Sequence, residues 1–304
     1  MKQTLLALCA GALALAASTG LAAPLQRADL PADPAWALHL DCDALRPTAI
    51  GRYIQSEMEK PEAQAKLAAF QSIFSFDLRT QLHSLTLYSI GTAPEDGVLL
   101  VYAEFNAGQL TTLAEAAKEH QSNAHNRHTI HSWIDENKKP KNGLQPRVYA
   151  AIQGKRVIFG QRQDRVAQAL DVLDGAVPRL STSGAFAQLG AAGNSSFLQA
   201  AARKLDLPNS DPNAAIFRLA KLINLQVGEA QQRVNATLTL EANDEDVAGH
   251  IASIAQGLLA LMKLQKEKPE SVKLAEALGL KQEGPRVVAH LGLPANDIIA
   301  MVKA

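Results

Sequence analysis

The sequence predicts an α+β protein built from a duplicated unit of order β-α-β-β-α-β(β)-α. Its strands form antiparallel sheet, in one piece or two, with helices packed mainly on one face. Three observations predict this. Short stretches of apolar–polar alternation recur along the chain, stretches with apolar residues at helical spacing separate them, and the order of these stretches begins again after residue 193.

Trp36 to Asp43 alternates strictly, which predicts a strand with Trp36, Leu38, Leu40 and Cys42 on its buried side and His39, Asp41 and Asp43 on the polar side of an edge strand. Pro47 and Thr48 open a helical stretch, and Pro61, tolerated only in a first turn, starts a second one. Leu82 to Ile90 and Gly97 to Phe105 form a hairpin, and Asn106 caps a helix that runs to about His120. Thr129 to Ile134 reads as a strand, and Arg147 to Gln153 pairs with Arg156 to Gly160 across the tight turn Gly154-Lys155. Asp164 opens a helix that Gly175 stops.

In the second half, Ser196 to Ala202 is a strand and Pro212 to about Ile223 a helix. Asn224 to Glu229 and Arg233 to Glu241 make a hairpin, and Asn243-Asp-Glu opens a long helix through Leu261. A short helix starts at Pro269, Arg286 to Leu293 is a strand, and Asn296-Asp297 caps a terminal helix. These patterns divide the chain into a signal peptide at 1–22, a first α+β half at 23–180 and a second at 194–304.

Lys2 followed by the uncharged run Leu5 to Ala17 predicts a secretory signal peptide, too short to span a bilayer. Gly20 and Ala22 supply small side chains at −3 and −1, so cleavage is expected after Ala22. The bond after Ala23 leads into Pro24 and is the poorer site. Cys9 follows Leu8 and too short an apolar run to be a lipidation site, and no later segment is expected to be a stable membrane anchor. The chain should be periplasmic or secreted.

The 304 residues carry 30 basic and 30 acidic side chains; losing Lys2 with the signal leaves 29 against 30, a formal charge of −1. That balance removes the basic field on which non-specific nucleic-acid binding depends. An aromatic content of 5% argues against a stacking surface for carbohydrate or single strands. Of the two cysteines, cleavage leaves Cys42, so no internal disulfide forms in an oxidising compartment.

His120, His125, His128 and His131 crowd one segment, and imidazole is a common transition-metal ligand. On a strand His128 and His131 point to opposite faces, and no H-E-x-x-H or C-x-x-C accompanies them. The segment is therefore read as a solvated junction between loop and strand and no metal site is assigned; His125, His128 and His131 are the candidates should one exist. His39 with Asp41 and Asp43 could serve a hydrolase or metal but reads as the polar side of a strand, and His290 sits similarly on the last strand. No serine lies in a G-x-S-x-G elbow, and Gly190 to Ser196 lacks a phosphate-loop ending, reading as a flexible lead into a strand.

No catalytic residue and no cofactor is assigned. The expectation is an exported, soluble, non-catalytic protein that binds a protein partner or a small apolar ligand on a sheet or between its halves. The alternative is a metal-binding protein or metal-dependent hydrolase using the segment 120–131 or His39 and Asp41.

Overall fold

The computed structural model describes residues 23–140, 143, 145–181, 184–191, 196–203, 215–265 and 267–303. The expected signal peptide, the start of the helix expected from Pro212 and most of the lead Gly190 to Ser196 lie outside the described residues.

From the N-terminus the elements are β1 (Trp36–Asp41), α1 (Cys42–Leu45), α2 (Ala49–Met58), α3 (Pro61–Phe74), β2 (Leu82–Ser89), β3 (Gly97–Ala103) and α4 (Ala107–Glu115). Next come β4 (Gln121–His125), β5 (His128–Ile134), β6 (Arg147–Gln153), β7 (Arg156–Gly160) and α5 (Gln163–Asp174). The second half holds β8 (Ser196–Arg203), α6 (Ala215–Leu219), β9 (Leu222–Ala230), β10 (Arg233–Glu241) and α7 (Glu245–Leu264). It ends with α8 (Pro269–Ala277), β11 (Leu278–Glu283), β12 (Arg286–Pro294) and α9 (Ala295–Lys303).

Helix starts follow the capping residues legible in the sequence. Thr48 Oγ1 accepts from Gly51 N at 2.9 Å, Asn106 Oδ1 from Gln109 N at 3.1 Å, and Asp244 Oδ1 from Val247 N at 2.8 Å, each relieving an unpaired helix donor. At the other end of α5, Gly175 takes φ 76°, the left-handed conformation that lets the last carbonyls bond back.

The twelve strands of the described residues make one sheet in the order β11-β12-β10-β9-β8-β1-β2-β3-β7-β6-β5-β4, every pairing antiparallel. The fold is thus α+β with a large antiparallel sheet. The halves join where β1 lies beside β8, with Leu38 opposite Ala200. Directly opposed residues share a face. One unbroken row therefore runs Ala289, Leu238, Leu225, Ala200, Leu38, Leu87, Leu99, Phe159, Ala150 and His131 across ten strands.

That row marks the face on which α7 packs, its Ala248, Ile251 and Ala252 closing over Ile223, Leu240 and Val287. On the opposite face α5 inserts Val166, Ala169 and Leu170 against Val98, Leu100, Ile130 and Ile158. The segment through Leu25 and Leu30 packs into that second core.

Two differences from the sequence reading have plain causes. The strand Trp36–Asp41 is central, and the side it buries is Ala37, His39 and Asp41, with Leu38 exposed. The alternation was visible, but which side is covered depends on the segment from Ala23, which lies over the polar one. The helix α7 is long and apolar enough to cross a membrane by length and composition, with a mean hydropathy of 1.4, contrary to the expectation that no later segment qualifies. Here it rests along one side on the sheet and leaves Ile254, Leu261 and Leu264 exposed, Leu264 at 73%.

The hairpin of β9 and β10 turns through Gln231 and Gln232, both in the left-handed region at φ 52° and 59°. A left-handed residue other than glycine costs about 1 kcal/mol or more, so Gln232→Gly should raise the unfolding free energy by about 1 kcal/mol. Urea titration reads this directly, and an unchanged midpoint would show that the turn is not strained.

Candidate functional site

On the α7 face, in the first half, the sheet presents an apolar floor. Register places His131 opposite Ala150, Ala150 opposite Phe159, and Ile152 opposite Val157, so these side chains lie together. Trp133, two positions along from His131, joins them. Ile73 and Phe74 at the end of α3, and Leu110, Leu113 and Ala114 of α4, form the roof. Between roof and floor is a cleft of about 290 Å³.

Small residues explain why the space is unfilled: α4 turns Ala114 toward the floor, and Ala117 follows just past its end. Neither α3 nor α4 buries a single residue. The roof is held instead by a few specific contacts. Phe70 packs against Phe74 and Phe76 at centroid distances of 4.5 and 5.1 Å, Ser75 ends α3 in a left-handed turn, and Gln109 Nε2 donates to Ile73 O at 2.8 Å. Beyond the roof the apolar surface continues, since Leu38 and Leu87 on the two central strands are each more than a third exposed.

His131 gives the cleft its polar corner. It stacks on His120 with centroids 5.3 Å apart, His120 Nε2 and His131 Nδ1 sharing a hydrogen bond at 3.1 Å. Burial pushes the His131 imidazole below its ordinary range, the neighbouring His120 adds to this, and Glu115 opposes it. A neutral ring in an otherwise apolar wall is the pattern of a ligand cleft whose few polar groups orient the occupant.

The remaining histidines of the segment go elsewhere. Residues 121–134 are the hairpin of β4 and β5, not a loop running into a strand, and His125 lies opposite His128 at its turn. Both reach α5 on the opposite face: His125 Nε2–H donates to Asp171 and His128 Nε2–H to Asp174, each at 2.8 Å. His128, Arg127 and Gln153 donate to Asp174 and bring its carboxyl down to about 2. His125, His128 and His131 therefore do not converge. Among the described residues no three His, Cys, Asp or Glu side chains are arranged to hold a metal.

His39 and Asp41 do come together, 2% and 3% exposed. The His39 Nε2–H donates to Ala23 O at 3.1 Å, which leaves Nδ1 to accept from Thr86 Oγ1 at 2.8 Å. Asp41 Oδ1 accepts from Ala23 N at 3.2 Å and Ala44 N at 2.8 Å. Their partners are backbone and a hydroxyl, so the pair is occupied in holding the chain. Beside it a polar cleft of about 360 Å³ contains His83, whose Nδ1–H donates to Asp43 at 2.9 Å. His290 is remote from both, on β12, sharing a hydrogen bond with Thr237 at 3.2 Å.

Cys42 sits in the first turn of α1, half-buried, not on the strand face expected for it. Burial raises its thiol to about 11, with Arg46 opposing. It is a poor nucleophile at neutral pH.

A further cleft, about 680 Å³, lies over the polar side of the second-half strands, where Gln226, Thr237 and Thr239 face outward. Its polar and charged lining, which includes Lys221, Glu241 and Arg286, does not suit an apolar occupant.

No protein-family model matches the chain, and no curated protein is significantly similar to it. Crystal form III of TP0453 aligns with 90% of this chain and 96% of its own at 12% identity and a TM-score of 0.51. The chain has the fold of TP0453. Form I of TP0453 aligns with 92% of this chain and 97% of its own at 10% identity and a TM-score of 0.49. Form IV aligns with 93% and 97% at 11% identity and a TM-score of 0.48. The likeness to TP0453 extends over almost the whole of both chains and concerns the fold alone.

Proposed function

We propose that this protein is exported and non-catalytic and that it binds a small apolar ligand in the cleft beneath α3 and α4. The cleft of about 290 Å³ between Trp133, Ile152 and Phe159 below and Ile73, Leu110 and Leu113 above carries the reading. Its size lies at the lower end of small-molecule sites, about 300 Å³. Export is supported by Lys2, the apolar run Leu5 to Ala17 and the small residues before Ala23. A roof with no buried side chain lets the ligand enter at little cost, because few contacts have to be broken.

We read the two halves as a duplicated unit. The spatial order β1-β2-β3-β7-β6 in the first half corresponds strand for strand to β8-β9-β10-β12-β11 in the second. On this reading the hairpin of β4 and β5, which adds His131 and Trp133 to the floor, is an addition to one copy.

Titration with the neutral fluorophore 1-aminoanthracene tests the ligand. One molecule should bind saturably and quench Trp133, and Trp133→Phe should abolish the quenching while Trp36 still emits. Ala114→Phe, which fills the cleft, should weaken binding by about tenfold or more, a loss of about 1.4 kcal/mol, without lowering thermal stability. Binding that does not saturate, or an unchanged affinity in Ala114→Phe, overturns the reading.

A further inference from the structure

Ala23, the first of the described residues, is buried. It is 9% exposed, and both of its backbone polar groups are used: N–H donates to Asp41 Oδ1 at 3.2 Å, and the carbonyl accepts from His39 Nε2 at 3.1 Å. The receiving carboxylate lies on the central strand at 3% exposure, on the covered side of the sheet. No lysine or arginine among the described residues pairs with Asp41. Arg46 binds Asp43, and Arg156 binds Asp29. A buried carboxylate without a cation is costly.

Ala23 is also the residue that follows the small-residue pattern Gly20-Leu-Ala22. We propose that His39 and Asp41 form a docking site for the amino terminus released by signal cleavage, the α-ammonium of Ala23 supplying the cation that Asp41 lacks. The inference rests on the export reading and is independent of the apolar cleft. In the cleavage step a signal-cleaving endopeptidase hydrolyses the Ala22–Ala23 bond: water adds its oxygen to the Ala22 carbonyl, and Ala23 leaves as an amine that takes up a proton. A neutral amide with one hydrogen becomes an ammonium with three, at a nitrogen already within hydrogen-bond distance of the carboxylate.

The site recognises position as well as charge. His39 holds the first carbonyl and Asp41 the first nitrogen, so the chain must start at Ala23. A terminus one residue later, at Pro24, loses both contacts. Behind Ala23, Leu25 and Leu30 enter the core with Tyr88 and Leu170. Docking the terminus therefore fastens a segment that lies over β1, and processing completes the sheet's covered face.

The full-length precursor, expressed with export, provides the test. The intact mass of the exported protein should correspond to a chain beginning at Ala23; an uncut chain overturns the export reading on which the proposal rests, and a chain cut at another position overturns the docking site while leaving export in place. With that mass established, the α-amine should react with cyanate at pH 7 about tenfold or more slowly in the folded protein than in urea, since an adjacent opposite charge keeps an amine protonated. Asp41→Asn should remove most of that protection. Should Asp41→Asn not fold, inserting Gly-Ser after Ala22 moves the charge off the site with both residues intact. The inserted protein should react as fast folded as unfolded and melt several degrees lower, with its affinity for 1-aminoanthracene unchanged. Equal folded and unfolded rates in the Ala23-started parent, or full protection in the inserted protein, overturn the docking site while leaving the export reading in place.

Discussion

Replacing His39 with alanine is expected to lower the unfolding free energy by about 3 kcal/mol at pH 7. The change leaves the Thr86 hydroxyl and the Ala23 carbonyl without their buried partner and opens a void on the central strand. The pH dependence separates this residue from an ordinary packing defect. Burial lowers the imidazole below its ordinary 6.5, against the opposing influence of the Ala23 carbonyl and Asp41. The unfolded chain therefore binds the proton first, and stability contributed by neutral His39 falls as pH drops from about 6.5 toward the lowered folded value. Urea titrations from pH 8 to 5 should show this slope in the parent and a smaller one in His39→Ala, where His131, also lowered, accounts for the remainder. Identical slopes would mean that His39 is not buried in its neutral form.

Gly51→Ala should also cost about 3 kcal/mol, although alanine ordinarily favours a helix over glycine by about 1 kcal/mol. A Cβ at Gly51 would lie 2.0 Å from the Leu45 carbonyl oxygen and 2.8 Å from that of Arg46, distances no backbone accepts without moving. Moving it disturbs more than one turn. The start of α2 is held from the other half of the sheet, where Glu229 accepts from Ala49 N at 2.7 Å and Ile50 N at 3.1 Å. Gly257 in α7 is the control, since nothing lies within 4 Å of its added Cβ. Gly257→Ala should be stabilising by about 1 kcal/mol. Thermal melts of the two variants should move in opposite directions, and parallel shifts would show that the contact at Gly51 relaxes freely.

Local chemistry determined much of this protein directly. Alternation marked β1, β2, β3, β10 and β12, and Thr48, Asn106 and Gly175 set helix ends because capping depends on residues only a few positions apart. The hairpin of β4 and β5 is not legible in the sequence, since Gln121 to His125 holds a single apolar residue, Ala124, and carries no period-two signal. The cleft was equally hidden: Trp133, Ile152, Phe159 and Leu113 come from four elements, and only strand order and register place them around one space.

The fate of β1 shows the division most clearly. Its alternation, and so the separation of His39 and Asp41 from Leu38 and Leu40, was determined by the sequence, because side chains on a strand must point to opposite faces. Which face is buried was decided by tertiary structure, because burial depends on what lies above. The segment from Ala23 covers the polar side and satisfies it, while Leu38 on the apolar side stays exposed.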